Sequence, residues 1–576
     1  MRKYLWLIPG LITLVMVHLA FSETGDPLRT LWAIPDESFL RTTGIFNSLF
    51  LGQDSWLVLA HLLVVGLALL SWQTKLEGEK LALAVSRWRH VVALGALLGM
   101  AAGAVWIYRA HPLSMDEYAP YLQAQIFAQG DLAWHVEPSL LDRIAVPKFQ
   151  QYFLAADAQT GRIASMYWPG LALLMTPFAW LGVPWLLNPL LTAGSLLLIH
   201  ALGRRMGGGR AATGGWAMLL ALASPVIWIN GMGFYSMPAH LAANLMFVWL
   251  ITSPQLRAWH LLLAGAVGAL ALNLHNPLPH ILFALPWWIW LFWRKGGWRH
   301  VAWLALGYGP LGLGMALGWA SFIAGFVPAV KVASEAATAA GTLADQSLFI
   351  RILQKVPFQW PTATVLTYRF ISLIKLWLWA IPGLLLWAGA GLSHWHTKVE
   401  VRLWAWSAAL TFVFYLFIGF DQGHGWGYRY MHPAWAAFPL IAAVWLSTQP
   451  ASKTAEGPQS QLTFWQIYTG KIAYLSMLLI LPLQMILVQQ FMDWHLSQRP
   501  SAPNGSQEHI IFVKSNGYIY FGDLVQNSPS QPQRLVLLSR GDREDESFMH
   551  ASRPGWVRIE RDMRGSVWAP APKAKP

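Results

Sequence analysis

The stretch Val91–Asp131 reads VVALGALLGMAAGAVWIYRAHPLSMDEYAPYLQAQIFAQGD. From Val91 to Trp106 it carries no Asp, Glu, Lys or Arg. A run of that kind approaches the roughly 20 residues that cross a hydrocarbon core of about 30 Å. Just beyond it stand two adjacent carboxylates, Asp116 and Glu117, followed by a polar and aromatic helical pattern. A span that delivers paired acids to the water interface sets two expectations. The chain is a helical membrane protein, and its chemistry lies outside the bilayer.

Composition agrees. Of 576 residues, 55% are hydrophobic and only 12% charged, whereas soluble proteins carry about 25% charged residues. The net charge of +13 could point to nucleic acid. The basic residues sit instead in short loops between apolar runs, which is a topology signal and a contact with anionic lipid. The chain has no cysteine, so disulfides and thiolate chemistry are excluded.

Apolar windows predict about 13 spans. They are Tyr4–Ala20, Trp56–Trp72, Val91–Trp106, Leu186–Leu202, Trp216–Asn230, Met237–Ile251, Leu261–Leu274, Ile281–Trp293, Val301–Phe326, Phe370–Leu392, Leu403–Phe420, Ala434–Leu446 and Ile472–Phe491. The first follows Arg2 and Lys3 and reads as a signal anchor. Basic residues in alternate loops put the N-terminus in the cytoplasm and the carboxylates outside. Gly170–Leu181 is too short to cross and reads as a re-entrant or interfacial helix. Three organisational units follow: 1–90 with two spans, 91–492 as the membrane core, and 493–576 as a soluble outer domain. The core has outer loops at 109–169, 327–369 and 421–433. The first loop is expected to hold amphipathic helices lying on the bilayer. In the tail, IIFV and YIYF around Ser515-Asn516-Gly517 suggest a β-hairpin, and RLVLLS and WVRIE suggest strands. The terminal APAPKAKP reads as disordered.

Each candidate residue has two readings. A carboxylate at Asp116 can act as general base toward a hydroxyl. Ser114 to Glu117 also fits a helix capping box, so Glu117 can cap while Asp116 acts. Arg429, between interfacial tyrosines, is either a snorkelling arginine or a donor to an anionic oxygen. Arg369 and Lys375 flank the start of a span, where a charge either snorkels or marks a site. His424 and His432 flank Arg429 as candidate phosphate or sugar contacts. Asp157, Tyr118, Tyr167 and Trp168 are candidate acceptor or sugar contacts, with loop solvation and an aromatic belt as the plainer accounts. A divalent cation bridged by Asp116 and Asp157 fits the residue types, though no spacing demands it.

These elements occur in a recognisable order. Asp116-Glu117 precedes a Tyr- and Gln-rich helix, and Met166-Tyr167-Trp168-Pro169-Gly170 follows. Then come Ala201-Leu202-Gly203-Arg204-Arg205-Met206, Gly209-Arg210-Ala211-Ala212, Ser224-Pro225, and His424-Gly425-Trp426-Gly427-Tyr428-Arg429-Tyr430 with Pro433. The ordered set, over roughly Val91–Trp445, resembles the GT-C glycosyltransferases. It is closest to the bacterial branch of protein O-mannosyltransferases and lipid A aminoarabinose transferases. Two spans precede the core, and Trp168-Pro169-Gly170 stands where the aminoarabinose branch has Lys-Pro-Pro.

The resemblance implies an all-α polytopic GT-C fold with a small α/β or β-rich C-terminal domain outside the membrane. It implies a bacterial inner-membrane protein with a periplasmic active site. Its donor would be a polyprenyl-phosphate-linked sugar, and its acceptor a hydroxyl on a lipid, glycan or protein. Asp116 takes the place of the family's catalytic acid, and inversion at the anomeric carbon is expected. Membrane lipid is a partner and nucleic acid is not. The alternatives are a transporter or flippase of lipid-linked saccharides, and a ligase or polymerase of surface glycan on another scaffold. No repeats and no midplane carboxylate support the transporter.

Overall fold

Apolar runs with no internal charge satisfy their backbone groups within themselves, and the chain answers with helices almost throughout. The structure, a computed structural model, describes residues 10–13, 54–71, 77–145, 150–326, 360–418, 425–448, 464–501, 508–515 and 521–571. Most of the expected first span and of the second outer loop lie outside the described residues, as do residues 572–576 of the terminal APAPKAKP, whose Ala569 and Pro570, expected to be disordered, end a paired strand. Among the described residues, α1 (Ser55–Leu70), α2 (Gly78–Arg87) and α3 (Arg89–Trp106) lead to the acidic pair. The acid-bearing helix is α4 (Met115–Ala128). The first outer segment then forms a small antiparallel sheet of β1 (Trp134–His135), β2 (Leu154–Ala156) and β3 (Arg162–Ser165), with β3 central.

The membrane body continues with α5 (Gly170–Trp180), α6 (Leu187–Met206), α7 (Ala211–Leu222), α8 (Pro225–Met232), α9 (Met237–Ile251), α10 (Ala258–Leu272), α11 (Leu278–Phe292) and α12 (Gly297–Ala324). It closes with α13 (Ala363–Leu378), α14 (Val399–Tyr415), α15 (Ala437–Thr448), α16 (Phe464–Leu475) and α17 (Leu481–Ser497). Among the described residues, four helical stretches are long and apolar enough to cross a membrane: Arg89–Trp106, Pro184–Met206, Gly297–Ala324 and Phe464–Ser497. Six apolar helices of 10–17 residues accompany them. The chain is a multi-pass helical membrane protein.

Several expectations change in detail. Trp216–Asn230 is not one straight span. The chain bends by 62° between α7 and α8, because Pro225 supplies no N–H and starts a new helix at its first position. The amide of Val226 then donates to Trp379 O at 3.2 Å. Gly170–Leu181, expected to be too short to cross, is α5, 11 residues long. Most of the expected hairpin around Ser515-Asn516-Gly517, residues 516–520, lies outside the described residues, and its first strand has other partners. β4 (His509–Val513) pairs in parallel with β5 (Arg534–Leu538) and antiparallel with β7 (Gly565–Pro570), which also pairs with β6 (Trp556–Asp562). Phe521–Leu524 is a 3-10 turn and not a strand. The helix α18 (Asp542–Ser552) completes a small α/β unit in sheet order β5-β4-β7-β6.

The outer segment also differs from an interfacial layer. α4 does not lie on lipid. Its Met115, Tyr118, Leu122 and Ile126 form one core with Ile510, Phe512, Leu535, Leu537 and Trp568 of the C-terminal sheet. An apolar helical face buries against whatever apolar surface is nearest, and here that surface is a sheet. Arg143 fastens the two parts. It reaches Asp545 at 2.6 Å, with both side chains buried, and lies over the rings of Phe512 and Phe548.

Helix α10 crosses α12 at backbone contact. A Cβ on Gly265 would stand 2.3 Å from Leu304 O, and one on Gly307 2.2 Å from Leu262 O. Small residues let membrane helices approach this closely. Gly265→Ala is expected to lower stability in detergent by about 1–3 kcal/mol, read as a lower thermal midpoint. Gly309→Ala on α12 faces open space and is expected to leave the midpoint unchanged or slightly raised.

Candidate active site

The chain leaves α3 through Arg109 and Ala110, both in the left-handed region with φ of 58 and 48. This tight reversal returns the backbone across the end of α3 and starts α4 beside Tyr108. Adjacent helical residues point about 100° apart, so Asp116, Glu117 and Tyr118 each face a different neighbour.

Asp116 faces the late loop. Its Oδ2 meets Arg429 Nη2 at 2.5 Å, with both side chains nearly buried. Its Oδ1 accepts a hydrogen bond from the Tyr167 hydroxyl and lies 3.9 Å from His275 Nε2. Tyr167 and His275 pack ring to ring at 4.3 Å, and the Arg429 guanidinium lies over Tyr235 at 4.5 Å. Burial alone would raise the Asp116 carboxyl. The charge of Arg429, aided by His275 and Tyr167, outweighs it and holds Asp116 well below the usual carboxylate range. Burial opposes the guanidinium charge too, and Asp116 overcomes it in turn. The Tyr167 phenol is pushed up by burial and by the negative charge beside it.

Glu117 faces inward and is fully buried. Its Oε1 accepts from Phe234 N at 2.9 Å and from the Tyr108 hydroxyl at 3.1 Å, and its Oε2 accepts from Leu113 N at 2.5 Å. Burial raises this carboxyl, the hydrogen bonds recover part of the cost, and it stands at about 7. The capping box is half formed. Glu117 reaches back toward the helix start, but Ser114 makes no side-chain cap bond. Its hydroxyl donates to Tyr235 at 2.9 Å instead.

The late loop is held by its own glycines. Gly425 and Gly427 have φ of 143 and 80. A Cβ at Gly425 would press on Arg429 Cδ at 2.8 Å. Trp426 donates from its indole to the Tyr108 hydroxyl at 2.5 Å, and its carbonyl accepts from Asn230 at 3.0 Å. The loop that carries Arg429 and the turn that carries Glu117 are thus tied together through Tyr108.

The other sequence candidates are placed elsewhere. Lys375 pairs with Asp54 at 2.5 Å, both side chains fully buried, and Trp379 donates to the same carboxylate at 2.7 Å. A buried charge is tolerable when paired and hydrogen-bonded, and α1 and α13 are joined there. Arg369 donates to Tyr415 O and Ile418 O and lies 5.4 Å from the Tyr430 ring, where it holds the end of α14. Tyr118 exchanges hydrogen bonds with the backbone of Asn527 at 2.7 and 2.8 Å, so it serves the C-terminal unit and offers no free ring face. Asp157 caps its own turn and pairs with Arg162 at 2.9 Å. Trp168 is half-buried beside Tyr167 in sequence. His432 is buried, and burial lowers it to about 3, so it is a neutral imidazole. His424 lies outside the described residues. Among the described residues, no group of three or more His, Cys, Asp or Glu is placed to hold a metal ion.

Tyr108, Trp426, Tyr235, His275 and Asp523 enter the site without having been singled out. Trp426 lies inside the HGWGYRY motif, which was a usable signal. Asp523 lies in FGDL, far along the chain, with no local signal at all.

No protein-family model and no curated protein matches the chain. Among solved structures it is similar to the crystal structure of ArnT from Cupriavidus metallidurans bound to undecaprenyl phosphate. That match has 12% identity over 84% of this chain and 98% of that one, with a TM-score of 0.49. The apo structure of the same protein matches at 14% identity over the same shares, with a TM-score of 0.48.

Glu117 makes a pH prediction. Its folded value of about 7 stands above its ordinary 4.5, so the folded state binds the extra proton between those values. The stability Glu117 contributes is expected to be full below about pH 4.5, to fall as pH rises to about 7, and to be lost beyond. Unfolding midpoints in detergent across this range check it, and Glu117→Gln is expected to flatten the fall.

Proposed function

We propose that the chain is a membrane glycosyltransferase that moves a sugar from a polyprenyl-phosphate-linked donor to an acceptor hydroxyl. The observation that carries this reading is the buried contact of Asp116 with Arg429, with Tyr167 on the second carboxylate oxygen. The ordered motifs of the GT-C family fall on the same residues.

The chemistry follows from the two charges. Asp116 accepts the proton of the acceptor hydroxyl as that oxygen attacks the anomeric carbon. The carbon–oxygen bond to phosphate breaks, and its electron pair leaves with the carrier phosphate. A guanidinium offsets the charge that develops there. Attack opposite the leaving group inverts the anomeric carbon.

The Asp116–Arg429 contact gives this reaction a built-in order. A carboxylate held far below neutral pH is ionised but weakly basic. Arg429 is what holds it there. A donor phosphate that draws the guanidinium away from Asp116 raises the basicity of the acid at the moment the substrate is in place. Tyr167 keeps the carboxylate oriented during the exchange. The site faces the periplasm of a bacterial inner membrane, with the N-terminus in the cytoplasm, in line with the distribution of basic loops.

Release of polyprenyl phosphate from polyprenyl-phosphate-linked sugars, in micelles with envelope extract as acceptor, is the test. Asp116→Asn is expected to slow release by about 100-fold or more, the usual worth of a general base. Arg429→Ala is expected to weaken donor binding and to slow release. Wild-type release in an Asp116→Asn protein that folds and inserts would refute the assignment.

A further inference from the structure

The first turn of every helix leaves backbone N–H groups without an internal partner. At α4 the residue in the cap position, Ser114, has the expected extended conformation but no side-chain cap bond. The N–H of Met115 donates instead to Asp523 Oδ1 at 2.7 Å, a contact spanning 408 residues of sequence. Asp523 is 3% exposed and sits in the 3-10 turn Phe521–Leu524 of the C-terminal unit.

The turn is fastened on both sides of this contact. Gln526 donates to Pro112 O at 2.8 Å. Gln150, from the first outer segment, donates to Gly522 O at 2.8 Å and to Val525 O at 3.1 Å. Asn527 donates its N–H to the Tyr118 hydroxyl at 2.7 Å. The C-terminal turn therefore grips α4 one residue before Asp116 and two residues after it.

We infer that Asp523 is a positioning residue. The C-terminal unit supplies, across the chain, the cap that fixes the first turn of α4 and so aims Asp116 at Arg429 and Tyr167. The inference rests on the reading of Asp116 as the reacting base, and it gives the tail a task in catalysis. Consecutive Cα atoms are about 3.8 Å apart, so a shift of the Met115 amide is passed almost whole to Asp116.

Its charge state sharpens the idea. Burial raises Asp523, and the neighbouring charges of Asp116 and Glu117 raise it further, against the help of the Met115 amide. Asp523 accepts the Met115 amide through Oδ1. An amide side chain has the same shape and the same acceptor oxygen, so the asparagine variant separates capping from charge.

Two readouts on the full-length protein in detergent decide the matter. Asp523→Ala is expected to speed backbone hydrogen exchange in the peptide spanning 113–128 by roughly tenfold, as loss of a cap predicts, with exchange in α6 unchanged. It is also expected to lower the maximal rate of polyprenyl phosphate release about tenfold without raising the KM for the donor. Asp523→Asn is expected to keep both at wild-type levels. Wild-type exchange and release in Asp523→Ala, or equal damage from both substitutions, would overturn the inference. Should the wild-type protein release no polyprenyl phosphate, the glycosyltransferase reading falls, and the exchange measurement still decides the cap.

Discussion

The buried contact between Asp116 and Arg429 is the constraint around which the outer half of the molecule is arranged. Two charges removed from water are costly unless their geometry is fixed and their remaining atoms are satisfied. The fold fixes that geometry from four directions, although Arg429 Nε is buried without a hydrogen-bond partner among the described residues. Tyr167 comes from the end of the β3 segment and His275 from the turn between α10 and α11. Tyr235 lies under the guanidinium between α8 and α9, and the glycines at 425 and 427 shape the loop behind it. None of these elements is adjacent to another in sequence. Only the packed helical body brings them to one point.

Glu117 explains how that body is kept in register. A carboxyl that stays buried among two backbone amides and a phenol is a structural hub. Through Tyr108 it reaches Trp426, whose ring lies 6.2 Å from Trp379. Trp379 in turn donates to Asp54, which Lys375 neutralises. A run of packed aromatic rings and short hydrogen bonds thus links the acid pair to a buried ion pair between α1 and α13. The residues with the strongest local signal, Asp116 and Glu117, split their duties: one faces the site and the other holds the scaffold.

Much of this was legible in the sequence, and the division has a physical reason. Helical spans come from local composition, so α3, α6, α9 and α12 fall close to where the apolar runs predict them. The Asp116 and Arg429 candidates were legible because a charge beside an apolar run needs an explanation wherever it sits. The roles of Lys375, Arg369 and Tyr118 were not. Each is decided by a partner distant in the chain: Asp54, the carbonyls at the end of α14, and Asn527. The bend at Ser224-Pro225 was visible as a proline, but the carbonyl of Trp379 that makes it tolerable was not. The segment that begins the expected hairpin around Ser515-Asn516-Gly517 is likewise placed by distant partners. Both edges of β4 are taken, by β5 and by β7, partners that no local turn signal announces.

The C-terminal sheet bears on how such a site can be built at a membrane surface. An amphipathic helix beside a bilayer has two partners for its apolar face, lipid or protein. Lipid is fluid and cannot fix a carboxylate to a fraction of an ångström, whereas a close-packed sheet can. Burying Met115, Tyr118, Leu122 and Ile126 against β4, β5 and β7 therefore exchanges a mobile surface for a rigid one. The cost is a helix start sealed from water, whose amides need a partner from within the protein. Asp523 provides it from the same sheet unit that created the need. Rigidity of α4 and the cap at its first turn are in this sense one solution to one problem, and Asp116 is its beneficiary.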